Sequence, residues 1–232
     1  MKTLLEHFNR PLTRCPWLQA IYGGYAVVIG LLVLALSAEA QIPEAAWQYE
    51  RTLTREAQAE FGINAPVARF AAQLHQESLW QSDVCSWAGA CGLAQFIPTT
   101  AEWMAEMHPR ELAPADPSDP RWAIQAQVRF NDWLYHRIDT QDECARWAMT
   151  LSAYNGGIGW LGRDRRLAEA AGADADQWFG HVEHYTTRAD WAKRENRGYV
   201  IRILLNLEPR YADAGWPGQP VCLRADRQCS RD

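Results

Sequence analysis

The chain of 232 residues contains no basic run, no sustained strand-like alternation, no internal repeat and no low-complexity segment. Each absence removes a class. With a formal net charge of −5 and no cluster of lysine and arginine, the surface has little to offer a phosphate backbone, which argues against a nucleic-acid partner. Without period-2 alternation there is no half-buried sheet to expect. Without repeats, the length fits one domain of roughly 150 to 190 residues behind a leader. The acidic balance also denies the chain long-range attraction to an anionic polymer, so recognition of one would rest on a shaped groove.

An apolar amino-terminal run is present. Residues 15–38 carry no charge, and 21–38 are apolar enough and nearly long enough to span a bilayer. Lys2, Arg10 and Arg14 precede this run and Glu39 and Glu44 follow it, a bias that places the bulk of the chain outside the cytoplasm. Ala38-Glu39-Ala40 also satisfies the small-x-small rule for cleavage before Gln41. An inner-membrane anchor through residues 18–38 with a periplasmic domain, and a cleaved signal giving a periplasmic or secreted protein, are therefore both open. The expected organisation is a cytoplasmic stub and membrane signal over 1–40, a catalytic domain over 41–214, and an irregular cysteine-containing tail over 215–232.

The remainder reads as a string of helices, hence an all-α domain. Periodicity and caps predict helices over 43–61 and 66–80, and one opened by Pro98 with Thr99 and Glu102 as a capping box. Beyond a proline-rich loop at 111–120, Asp119 caps a helix running to about 137, and others follow over 141–154, 158–171 and 188–212. Twelve tryptophans serve first as core filler and second as flat platforms for sugar faces. Cys85 and Cys91 bracket five residues, and Cys222 and Cys229 bracket six. Two short-loop disulfides are the expectation, leaving Cys144 unpaired and Cys15 at the membrane edge, with reduced thiols as the alternative.

One helix carries a carboxyl of special placement. Val67, Phe70, Ala71, Leu74 and Ser78 share one helical face. At 100° per residue Glu77 falls about 20° from Phe70 and about 60° from Leu74, at the margin of the apolar stripe. Half-burial raises a carboxyl pKa, which suits a general acid near neutrality. Three further segments follow: Gly92-Leu93-Ala94-Gln95-Phe96 with Pro98 behind it, Ala153-Tyr154-Asn155-Gly156-Gly157, and Glu195-Asn196-Arg197-Gly198-Tyr199-Val200.

Glu77-Ser78 and these three blocks, in this order over roughly residues 60 to 205, resemble the Slt-type lytic transglycosylases. The resemblance implies a lysozyme-like helical domain with an active-site groove and cleavage of the MurNAc-GlcNAc β-1,4 bond of peptidoglycan. It implies that one Glu serves as acid and then as base toward the muramic acid 6-hydroxyl, leaving 1,6-anhydromuramoyl ends. Glu77 matches that residue. Ser78 matches a position that contacts the substrate near the acid, and Tyr199 one that hydrogen-bonds the catalytic carboxyl. In the blocks between, Gly92 permits a tight turn, Gln95 offers both a donor and an acceptor to sugar groups with Phe96 beneath them, and Asn155, on one helix face with Ala148 and Leu151 and beside Tyr154, directs an amide in a way that suits substrate binding. Ala94 stands where the family often has Met, 181–193 replaces a short proline-containing link before Tyr199, and Arg194-Glu195-Asn196-Arg197-Gly198-Tyr199 before an Ile-Leu run looks like the phage-borne branch. No cofactor or metal is implied. His75-x-Glu77 lacks the Pro-Cys-x-x-Cys partner of zinc deaminases, and His181 with His184 lacks a third ligand. The expected partner is the glycan strand, bound by a monomer. A goose-type lysozyme-like hydrolase and a non-catalytic wall-binding module are the competing readings.

Overall fold

The computed structural model describes residues 41–222. The apolar run over 18–38, Cys15 and Cys229 lie outside the described residues. Ten α-helices follow in order: α1 (Glu44–Trp47), α2 (Glu50–Phe61), α3 (Val67–Ser78), α4 (Pro98–Met107), α5 (Pro109–Leu112), α6 (Pro120–Tyr135), α7 (Glu143–Gly156), α8 (Ile158–Ala170), α9 (Asp190–Ile201) and α10 (Glu208–Asp213). A short 3-10 turn at Val182–His184 precedes α9, and a π-helical segment at Arg202–Leu207 joins α9 to α10. Among the described residues there is no strand, only isolated bridges pairing Cys85 with Cys91 and Cys91 with Phe96. No helix among them is long and apolar enough to cross a membrane.

Helix α3 is the central strut. The sequence predicts an amphipathic helix with a wet face; instead every residue from Val67 to His75 is buried. The polar positions go inside because each meets a partner from elsewhere in the chain. Arg69 Nη2 donates to Glu208 Oε1 at 2.7 Å, with both side chains 1% exposed. Its guanidinium also lies 4.3 Å from the Trp147 ring centroid. Tyr211 Oη accepts from Trp80 Nε1 at 2.6 Å and lies 2.9 Å from His75 Nδ1. Burial, followed by the nearby Arg210 charge, brings the His75 pKa down to about 4, so the ring is neutral and Nδ1 accepts the tyrosine proton.

The helix stops at Ser78, two residues earlier than its periodicity predicts. Leu79 and Trp80 both adopt left-handed backbone, with φ of 53° and 63°. That geometry costs non-glycine residues about 1–2 kcal/mol each. The cost is offset by Trp80, which is buried, stacks on Tyr49 at 5.9 Å and donates its indole proton to Tyr211. The sharp stop leaves Glu77 on the last turn, at the edge of the packed interior.

Several other expectations are revised. The helix over 188–212 is interrupted by the π segment. Pro209 has no N–H for the carbonyl four residues back and would collide with it in a regular α-helix, so the turn before it widens. Asp119 caps α6 as its position predicts, accepting from Trp122 N at 2.7 Å. The Thr99/Glu102 box does not form: Pro98 takes the first helical position, so Thr99 is already inside α4 and Ile97 is the cap residue.

Cys85 pairs with Cys91, but Cys222 pairs with Cys144 and not with Cys229. The expected free Cys144 is thus a structural half-cystine. The segment up to Cys222 is irregular in backbone yet packed. Pro217 O accepts from Ala68 N at 2.8 Å at the start of α3, and buried Trp216 lies 5.2 Å from Tyr211 and 5.8 Å from Trp80.

Candidate active site

A cleft of about 590 Å³ opens over the end of α3. Glu77 stands in it, half-buried. The end of α7 supplies Tyr154 and Asn155, the segment between the Cys85–Cys91 disulfide and α4 supplies Gln95 and Phe96, and α9 supplies Glu195 and Tyr199. Of the predicted site residues, Glu77, Gln95, Phe96, Tyr154, Asn155 and Tyr199 come together on this one surface. Ser78 and Gly92 do not. Ser78 is buried and donates to Leu74 O at 3.3 Å, so its hydroxyl is spent within its own helix.

Gly92 acts at one remove. It has a φ of 74°, and a Cβ there would sit 1.8 Å from Pro117 O. Only glycine lets the proline-rich loop press against this segment. The segment is then pinned by Gln95, whose Nε2 donates to Gly92 O at 2.9 Å and Val84 O at 3.2 Å. A glutamine amide in water offers sugar groups both a donor and an acceptor. The donor is consumed by backbone, and Oε1 is what remains for a ligand.

Tyr199 Oη donates to Glu77 Oε1 at 2.6 Å. Its direction is fixed from below. Gln127 Nε2 and Asn131 Nδ2 converge on Gln73 Oε1 at 3.0 and 2.8 Å, which turns the Gln73 amide nitrogen toward Tyr199 Oη at 3.1 Å. Because Tyr199 accepts from Gln73, its own proton is aimed at Glu77. Oε1 is therefore occupied as an acceptor, which leaves Oε2 as the oxygen that can present a proton to the cleft. Gln73, Gln127 and Asn131 are absent from the sequence reading. The one available signal is Gln73 itself, a polar residue one turn before Glu77.

Burial pushes the Glu77 pKa up to about 8, the Tyr199 hydrogen bond pulls it partly back, and the Glu195 charge raises it again. At neutral pH the carboxyl is largely protonated. Burial also holds the phenols of Tyr154 and Tyr199 well above their ordinary range, with the Glu77 charge adding to it, so both remain proton donors. Tyr154 spends its proton on Ala94 O at 3.0 Å, tying α7 to the cleft wall.

Asn155 is held by a second set of residues that the sequence did not disclose. Asn196 Nδ2 donates to Asn155 Oδ1 at 2.8 Å and to Ser152 O at 2.9 Å, while Asn196 Oδ1 accepts from Ser152 Oγ at 2.7 Å. The Asn155 amide nitrogen is left to face the cleft. Gly156 follows because a Cβ there would meet Arg188 Nη1 at 2.4 Å. The arrangement can thus deliver one proton from a desolvated acid to a ligand oriented by amide and aromatic groups.

The sequence model described as "Transglycosylase SLT domain" matches residues 52–177, more than half of the chain. The chain belongs to this family. The SLT domain here is 37% identical over 145 residues to the membrane-bound lytic murein transglycosylase F of Maricaulis maris (strain MCS10), a match covering 57% of this chain and 30% of that protein. It is 36% identical over 109 residues to the protein of the same name from Pasteurella multocida (strain Pm70), covering 47% and 20%. The chain therefore spans less than a third of the length of these relatives. The 70 kDa soluble lytic transglycosylase of Escherichia coli has the same fold: TM-score 0.56 at 23% identity, over 76% of this chain and 26% of that one. The SLT domain is accordingly all-α, with the lysozyme-like helical arrangement that its motifs imply.

Proposed function

We propose that the protein is a peptidoglycan lytic transglycosylase that cleaves the MurNAc-GlcNAc β-1,4 bond with Glu77 as acid and then base. The observation that carries the reading is Glu77 in the cleft, with its pKa raised by burial to about 8 and its Oε1 accepting from Tyr199, which leaves Oε2 to carry the proton. The proton on Oε2 passes to the glycosidic oxygen as the C1–O4 bond breaks. The Glu77 carboxylate then removes the proton of the muramic 6-hydroxyl, whose oxygen closes onto C1. The acid is regenerated and no water is consumed. A pKa of about 8 suits both halves, since the group gives and takes a proton near neutrality. Gln95 Oε1 and the Asn155 amide nitrogen orient the acetamido and hydroxyl groups, while Phe96, buried against Trp122, Phe130 and Tyr154, supports the cleft floor from below.

A second reading is hydrolysis, favoured by one observation: Glu195 lines the same cleft and is a second carboxylate able to activate water. Mass spectrometry of digested peptidoglycan separates the two. Anhydromuramoyl ends, one water lighter than reducing ends, support the transglycosylase, and reducing ends alone assign the hydrolase. Glu77→Gln is expected to lose activity on the order of 100- to 10,000-fold in either case. A folded variant keeping a tenth of the activity would remove Glu77 from the role.

Chemistry and relatives named as membrane-bound support a setting at the cell envelope. Two disulfides fit an oxidising compartment, and peptidoglycan lies outside the cytoplasm. Residues 18–38 then serve as an inner-membrane anchor for a periplasmic domain. Full-length protein that fractionates with membranes and keeps its amino terminus supports the anchor; cleavage after Ala40 replaces it with a signal peptide.

A further inference from the structure

A second hollow, of about 980 Å³, continues from the Glu77 cleft. The two share Ser86, Ala88, Asn155, Gly156 and Glu195, so they form one channel. Three tryptophans line the extension: Trp87, Trp160 and Trp191. Trp87 is 98% exposed and Trp191 is 63% exposed. Folding gains nothing from an indole left in water, and neither is in the aromatic clusters that build the core.

Trp87 is also held out deliberately. It lies in the five-residue loop between Cys85 and Cys91, closed by their disulfide and by Ser86 N donating to Ala90 O at 2.8 Å. Ser86 Oγ accepts from Ala90 N at 3.1 Å inside the same loop. A clasped loop cannot fold its tip back onto the protein. Trp160 carries the Arg163 guanidinium 4.9 Å from its ring centroid, which orients it. Beside the rings stand the Asn155 amide and Thr187, polar groups suited to hydroxyls.

We infer that this tryptophan-lined extension is a saccharide-binding subsite, which takes N-acetylated sugars of the strand beyond those at Glu77 and makes the enzyme favour long glycan strands. An indole face stacks on the C–H face of a pyranose, while the sugar edge reaches polar groups. Continuity with the cleft makes a single strand the occupant. The inference rests on the proposed function for its substrate, but its binding can be read without turnover.

Full-length protein in detergent is prepared as wild type, Trp87→Ala, Trp191→Ala and the double variant, each also in the Glu77→Gln background. Titration of the Glu77→Gln proteins with chitobiose and chitohexaose reads the subsite directly. The expected result is a loss of chitohexaose affinity of about tenfold for each single change, with chitobiose binding unaltered. The active proteins should lose a similar factor in kcat/KM on long uncrosslinked glycan strands and none on a tetrasaccharide. Equal chitohexaose affinity in all variants overturns the subsite, as does an equal loss on short and long substrates. So does a change in sedimentation that shows the tryptophans bind a second copy. Failure of the functional reading has its own signature: no variant cleaves any strand, while the length-dependent binding persists.

Discussion

Replacing Glu77 by Gln should make the protein more stable as the pH rises, because the acid is kept where its charged form is poorly tolerated. The sign follows from linkage. The folded-state pKa of Glu77 is about 8 against an ordinary 4.5, so the folded state binds the proton more tightly than the unfolded one. Below 4.5 both states are protonated and Glu77 carries no penalty; stability is then lost progressively up to about 8, above which the loss is complete. The interval from 4.5 to about 8, at 1.36 kcal/mol per pH unit, sets a ceiling of about 5 kcal/mol. Glu77 is half-buried and partly screened by solvent, which brings the expected figure to about 3 kcal/mol. Gln keeps the shape and keeps Oε1 as acceptor for Tyr199, so the comparison isolates the ionisation. Urea unfolding with disulfides intact should give nearly equal midpoints at pH 4. At pH 9, with a slope of about 2 kcal/mol per molar, the variant midpoint should lie about 1.5 M higher. Equal midpoints at pH 9, or a constant offset at both pH values, would refute the claim that desolvation governs this carboxyl.

Tyr199→Phe removes the hydrogen bond that holds the Glu77 pKa down, so the alkaline limb of the pH–activity profile should move from about 8 to higher pH by about one to two units. An unmoved limb would deny Tyr199 its contact with the acid. Cys222→Ser opens a disulfide with a sequence separation of 78, and the protein should lose about 4 kcal/mol of stability in chemical denaturation. Cys91→Ser, where the separation is 6, should cost nearer 2 kcal/mol. A larger loss from the short loop would show that strain or packing outweighs chain entropy at these bonds.

What the sequence made legible is local. The phase of Glu77 on its helix, Pro98 at a helix start and Asp119 as a cap depend on neighbours within a turn or two, and the structure keeps all three. The failures share a different cause. Arg69, Gln73 and His75 lie outside the apolar face that the periodicity picks out, and their burial is hidden from it because their partners, Glu208, Tyr199 and Tyr211, lie 139, 126 and 136 residues away. Spacing ranks short loops first and so pairs Cys222 with its near neighbour, while the true partner, Cys144, is brought up by folding. Gly92 and Asn155 sit in blocks that the sequence flagged, yet the reason for each is a distant group, Pro117 in one case and Asn196 in the other.

The same contacts explain why the acid can be both buried and placed. A carboxyl on a free surface helix would be solvated and ionised at neutral pH. Here α3 runs through the interior, so its polar side must be satisfied by buried amides, and those amides are the ones that orient Tyr199. Changing Gln73 to Leu should therefore act through Tyr199. Its hydroxyl, no longer receiving a proton from below, is free to turn away from Glu77, and the alkaline limb should shift in the same direction as for Tyr199→Phe but by less. A Gln73→Leu protein that loses activity with an unshifted pH profile would show that Gln73 serves packing alone.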